Sequence, residues 1–249
     1  MKLKEKLRFI IALFINASMI PCFAELTLDN LDISEHTSRY NSLLSVEDAD
    51  DTLKRYSCFP EFLAKAEEVV LSYGFEKHTG VRLMHRHFEL PSDSVMVEEF
   101  QEVSGVSSLV TSTVPVTEAR LKNAVPSGWV LNSSSIGIFE FSTDEAVRQG
   151  FRDIQTTPEF LEQMEKTIKD YNLENLMSVS LLKKDSLFAT EGQYYQERTF
   201  SDKSVVQILD GDWGESTRTS WSFGKGPIML RCSVCRKDDA WGHRELYYS

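Results

Sequence analysis

Apolar residues recur with helical spacing between Phe59 and Tyr73, where Phe62, Leu63, Ala66, Val69 and Val70 fall on one stripe. Pro60 suits the first turn of such a helix, and Gly74 can adopt the left-handed conformation that ends it. A second helical stretch is "DEAVRQGF". Thr143 can cap it, and Asp144 and Glu145 complement the positive end of its dipole. A third opens at Thr157–Pro158 and carries Phe160, Leu161, Met164 and Ile168 along one side. Residues 25–57 are mostly polar and read as a solvated segment with a short helix ending near Tyr56.

Elsewhere the period is two. "GVRLMHRHFEL" alternates from Gly80 to Leu90, and Pro91, Ser92 and Asp93 form a turn into "SVMVEEF", which reads as its hairpin partner. "SGVSSLVTSTVP" is a strand with loops or an exposed flap, and "GWVLNSSSIGIFEFS" one or two strands. Beyond Asn175, "LMSVSLL", "QYYQERTF", "SVVQIL" and "PIMLRCSV" read as short strands, with "FSDKS" as a hairpin turn. The order helix, β run, helices, β run lacks the alternation of a parallel doubly wound sheet. It predicts an α+β fold, a mostly antiparallel sheet with a few helices packed on one face. No linker rich in Pro, Gly or Ser interrupts residues 25–249, which read as a single domain with a polar N-terminal segment.

The first 24 residues change the picture. "MKLKEKLR" is basic, "FIIALFINASMI" is apolar, and "PCFA" sets the small residues Cys22 and Ala24 before a cleavage point. That order predicts an export signal over residues 1–24 and a secreted or periplasmic protein. The apolar run falls short of the roughly 20 residues that span a bilayer, so no stable transmembrane segment is expected in the mature chain. The formal net charge is −11. Loss of residues 1–24 removes four basic residues and one acidic one and leaves −14. Such an acidic balance argues against a nucleic-acid partner, which calls for a basic face. Cys58, Cys232 and Cys235 would remain, too few for a disulfide scaffold.

Two stretches carry candidate chemistry. In "HRHFEL", His85, His87 and Glu89 share one face of an extended strand. The two histidine Cα atoms stand roughly 6.6 Å apart, so both imidazoles reach one ion with Zn–N bonds of about 2.0–2.1 Å. Glu89 would be a third ligand or an orienting partner. An ordinary hydrogen-bonded surface row uses the same residue types. Near the other end, Cys232 and Cys235 in "CSVC", with His243 beyond, offer three ligands of a tetrahedral zinc site. His85, His87 or Cys58 would supply a fourth, closing strand and tail on one ion. Given export, a structural Cys232–Cys235 disulfide is the first reading, the metal site the second and a redox pair the third. The redox pair needs a helix N-terminus, and the flanking "PIMLR" and "RKDDAWG" do not read as one. No phosphate loop, nucleophile elbow, HExxH or calcium-loop pattern occurs.

These readings favour an exported, non-enzymatic binding or structural domain with a structural metal or disulfide. The alternatives are a zinc-dependent hydrolase or lyase using the HxH strand and a thiol oxidoreductase built on the CxxC pair.

Overall fold

The computed structural model describes residues 27–103, 105–132, 135–182, 193–200, 202–210, 217–223, 232–238 and 242–248, and the export-signal reading of residues 1–24 lies outside them. The helices are α1 (Ile33–Asn41), α2 (Val46–Leu53), α3 (Phe59–Ser72), α4 (Glu145–Gln155) and α5 (Pro158–Asp170). The first five strands are β1 (Thr79–Leu83), β2 (Ser94–Val103), β3 (Val106–Pro115), β4 (Val125–Asn132) and β5 (Ser135–Ser142). Beyond α5 come β6 (Met177–Leu181), β7 (Gln193–Thr199), β8 (Lys203–Asp210), β9 (Thr217–Ser222), β10 (Cys232–Asp238) and β11 (Gly242–Tyr248). No helix among the described residues is long and apolar enough to cross a membrane.

The expected α+β class holds, and the sheet closes on itself. Its strands run β1-β6-β4-β5-β2-β3-β8-β7-β11-β10-β9, and β9 pairs back onto β1. Among the described residues, all ladders are antiparallel except that between β2 and β5. Closure pairs each described strand on both sides. At the seam, Gly80 of β1 lets the backbone of Trp221 approach so closely that a Cβ would strike its carbonyl oxygen.

Three local expectations change. The strand from Gly80 ends at Leu83 rather than continuing to Leu90. The Met84 N–H still donates to the Leu176 carbonyl (2.7 Å), the next step of the β1–β6 register, and beyond it the Arg86 N–H leaves the sheet for the Leu44 carbonyl (2.9 Å). Consequently β2 is not its hairpin partner and pairs with β3 and β5. The polar segment before Tyr56 forms two helices, with Asp32 and Ser45 accepting from backbone N–H groups at their N-caps. It also buries His36, Tyr40, Val46 and Leu53. Helix α4 is capped by Asp144, which accepts from the N–H groups of Ala146 and Val147. Thr143 instead donates its N–H to the Glu98 carbonyl, which ties it to the strand side. The α3 reading holds, with Pro60 in the first turn and Gly74 at φ +72°.

The two faces of the barrel wall differ. Val81, Leu83, Trp129, Met177, Val179 and Leu181 pack with Phe62, Phe151 and Phe160 of α3, α4 and α5 in one large core. A helix with its side chains is about 10–12 Å across. Three of them together do not fit in the lumen, so this face is the outside. Alternation then turns Arg82, Val130, Ser178 and Ser180 inward. The ladder register carries the same inner face through Glu98, Thr111 and Ser204 to Glu197 and Thr199. Helix α1 leans over one rim. Ile33 lies against the outer cluster of Val95, Val97 and Phe141, while Tyr40 joins the inner cluster of Met84, Leu90, Met96, Val130 and Phe139.

Candidate functional site

Beneath α1, the inner wall carries a buried polar layer. On β1, between the outward Val81 and Leu83, Arg82 turns into the lumen and meets Glu140 of β5 with Nη1 and Oε2 3.0 Å apart. Past Leu83 the chain leaves the sheet and crosses the rim. Asn41 clamps it there, donating to the Leu90 carbonyl (2.9 Å) and accepting from the Leu90 N–H (2.8 Å). The Arg86 guanidinium donates to the Asn41 carbonyl from the exposed side. With Arg86 held outward, the residues on either side of it turn inward, so His85 and His87 enter the barrel.

The two imidazoles meet, with ring centroids 4.6 Å apart and an interplanar angle of 70°. His85 is 2% exposed. Its Nδ1 lies 2.9 Å from the Leu83 carbonyl, an acceptor only, so Nδ1 carries a proton and, in the neutral ring, Nε2 carries the lone pair. His87 reaches β7, where Nδ1 is 3.1 Å from the Thr199 hydroxyl and Nε2 is 3.8 Å from Oε1 of Glu197. Glu197 is 2% exposed, and its Oε2 has no hydrogen-bond partner among the described residues. Burial pushes the Tyr40 phenol well above its usual range, the His87 peptide opposes that shift and the Glu140 carboxylate adds to it. Tyr40 therefore stays a neutral hydroxyl at the roof of this layer.

The structure brings His85 and His87 together and leaves Glu89 apart from them. Glu89 is exposed, and Glu197 from β7 occupies the interior position beside the imidazoles. Cys58 is a half-buried free thiol at the start of α3. Cys232 and Cys235 lie within one continuous strand, β10, rather than in a tight turn, and His243 lies on β11 opposite Lys237. Cα atoms three residues apart on an extended chain are separated by about 10 Å, whereas a disulfide spans at most about 7 Å without backbone movement. The meeting of His85 and His87 with Cys232, Cys235 and His243 falls on side chains outside the described residues. Among the described residues, no three His, Cys, Asp or Glu side chains are grouped to hold an ion as they stand.

Arg82, Glu140, Glu197 and Thr199 were passed over because alternation separates two faces without saying which is wet. "TGVRL" and "QYYQERT" look like half-exposed strands. Closure of the sheet turns their polar side inward. One signal was available: Glu197 and Thr199 stand two apart, as His85 and His87 do.

Compared with protein-family models, curated proteins and solved structures, the chain matches none. The functional reading therefore rests on the barrel and its interior.

Proposed function

We propose that this chain is an exported, non-enzymatic binding protein whose ligand site is the polar layer inside the barrel beneath α1. The observation that carries the reading is the chemistry of the inner wall. Arg82, Glu98, Glu140, Glu197, Thr199 and His85 are turned inward and buried or nearly so. Side chains alone fill barrels of about eight strands, and larger ones enclose more space. An eleven-stranded barrel is wider than that. Lining its interior with ionisable groups costs desolvation that aliphatic side chains would avoid. A few convergent polar groups in a concave, enclosed site are what fix a small polar ligand.

A hydrolase reading shares these residues, because a hydroxyl, an imidazole and a carboxylate are adjacent at Thr199, His87 and Glu197. It differs in requiring turnover that disappears in His87→Ala. The thiol oxidoreductase reading has less support, since β10 offers Cys232 and Cys235 no helix N-terminus to lower a thiol pKa.

Native mass spectrometry of the chain, purified under non-denaturing conditions from the cells that make it, tests the binding reading. The expected result is one added small molecule or ion per chain, released by denaturation. The bare chain mass, together with no thermal shift in a panel of small polar compounds and metal ions, would contradict it.

A further inference from the structure

We infer that His85, His87 and Glu197 bind one divalent cation of the zinc class, with Glu197 as the anionic ligand. The inference rests on the binding reading above and gives the interior site its chemistry. Two imidazoles and a carboxylate form a donor set suited to zinc and its transition-metal neighbours.

Glu197 supplies the strongest argument. It is 2% exposed, lies on the inner wall, and keeps Oε2 without a hydrogen-bond partner among the described residues. A buried carboxylate oxygen left unsatisfied is costly, and a cation held through both oxygens of the carboxylate removes the cost. Spacing supplies the second. The 3.8 Å between Nε2 of His87 and Oε1 of Glu197 is long for a hydrogen bond. One ion can bridge such a gap at a wide angle with two bonds of about 2.0–2.1 Å each.

His85 supplies the third. A backbone carbonyl on Nδ1–H is an outer partner suited to a ligating imidazole and leaves Nε2 as the coordinating atom. Its ring already stands 4.6 Å from that of His87, centroid to centroid. As they stand, the described residues form no group of three that could hold an ion, so zinc uptake requires the His85 ring to move. The Thr199 hydroxyl on Nδ1 of His87 plays the same orienting part from the opposite wall.

The experiment is zinc titration of the EDTA-stripped full chain by calorimetry, paired with the absorption spectrum of the cobalt(II)-loaded wild type. One zinc per chain is expected. Glu197→Gln and His87→Ala should each weaken it at least tenfold, and Cys232→Ser/Cys235→Ser should leave it unchanged. The cobalt spectrum should show nitrogen and oxygen ligation without a thiolate charge-transfer band, a readout that does not depend on any variant folding. No zinc uptake by folded wild type, uptake indifferent to Glu197→Gln in a variant with native circular dichroism, or a thiolate band would each overturn the inference. An organic molecule found in the native mass spectrum of a protein that binds no zinc would overturn this inference alone and leave the binding reading standing.

Discussion

His87 and Glu197 face each other inside the barrel, Nε2 to Oε1 at 3.8 Å, although one follows β1 and the other belongs to β7. Going round the barrel, three strands separate β1 from β7 on one side and six on the other. The pair therefore spans the lumen rather than joining neighbours in a ladder. It connects the segment that crosses the rim to the far wall, and it gathers the interior chemistry at one level beneath α1.

If Glu197 is retained for a ligand, the empty protein should tolerate its neutralisation. Glu197→Gln keeps the shape and removes a buried carboxyl oxygen that has no hydrogen-bond partner among the described residues. Its unfolding free energy in the presence of EDTA should equal or exceed that of the parent by about 1 kcal/mol. Urea denaturation of the two EDTA-treated chains provides the comparison, and a loss of stability would mark Glu197 as a structural group.

The Arg82–Glu140 pair, with side chains only 11% and 8% exposed, should behave as a buried ion pair. Arg82→Met alone removes the guanidinium 3.0 Å from the buried Glu140 carboxylate and should cost about 3–5 kcal/mol. Arg82→Met combined with Glu140→Leu should recover most of that loss. A double-mutant cycle in urea measures the coupling, and additive losses would contradict the pairing.

His36 on α1 donates from Nδ1 to the Ile138 carbonyl (3.1 Å), and burial lowers its pKa from 6.5 to about 4. The folded state thus favours the neutral ring, while the unfolded chain takes up a proton near pH 6.5. The resulting stabilisation is complete above pH 6.5, falls as the pH drops toward 4, and levels off below that. A shift of this size corresponds to roughly 3 kcal/mol at most. Melting temperatures between pH 7.5 and 4.5 should show this decline, and His36→Gln should flatten it.

Barrel closure has its own test. At Gly80, where β1 meets β9, an added methyl would strike the Trp221 carbonyl and the Leu182 side chain. Gly80→Ala should cost about 1–3 kcal/mol through forced backbone shifts. Hydrogen exchange should show the loss first in the β1–β9 ladder. Unchanged protection there would argue against the seam.

The helices were legible because their signals are local. The stripe from Phe62 to Val70, the Pro60 start and the Gly74 stop all act within one element, and α3 matches them. The Phe200 turn was equally local, its N–H donating to the Lys203 carbonyl. Long-range pairing was not legible. Nothing in "VRLMHRHFEL" announces that its alternation outlasts its strand, because the decision lies with Asn41 and Leu44, which capture the backbone from outside. Nor does the alternation of Glu197 and Thr199 reveal a lumen, since only the closing contact of β9 with β1 makes that face an interior. His85 and His87 were found by residue type, and their partner Glu197 was missed because its proximity is a product of closure.

The most direct test of the central claim, that the histidine layer inside the barrel is the ligand site, is long-range proton–nitrogen NMR of the histidine rings with and without zinc. The account predicts that His85 is held as its Nδ1–H tautomer in the empty protein, and that the Nε2 resonances of His85 and His87 move together at one equivalent of zinc. Rings of His85 and His87 that keep their shifts while His243 responds would contradict it and move the site to the tail.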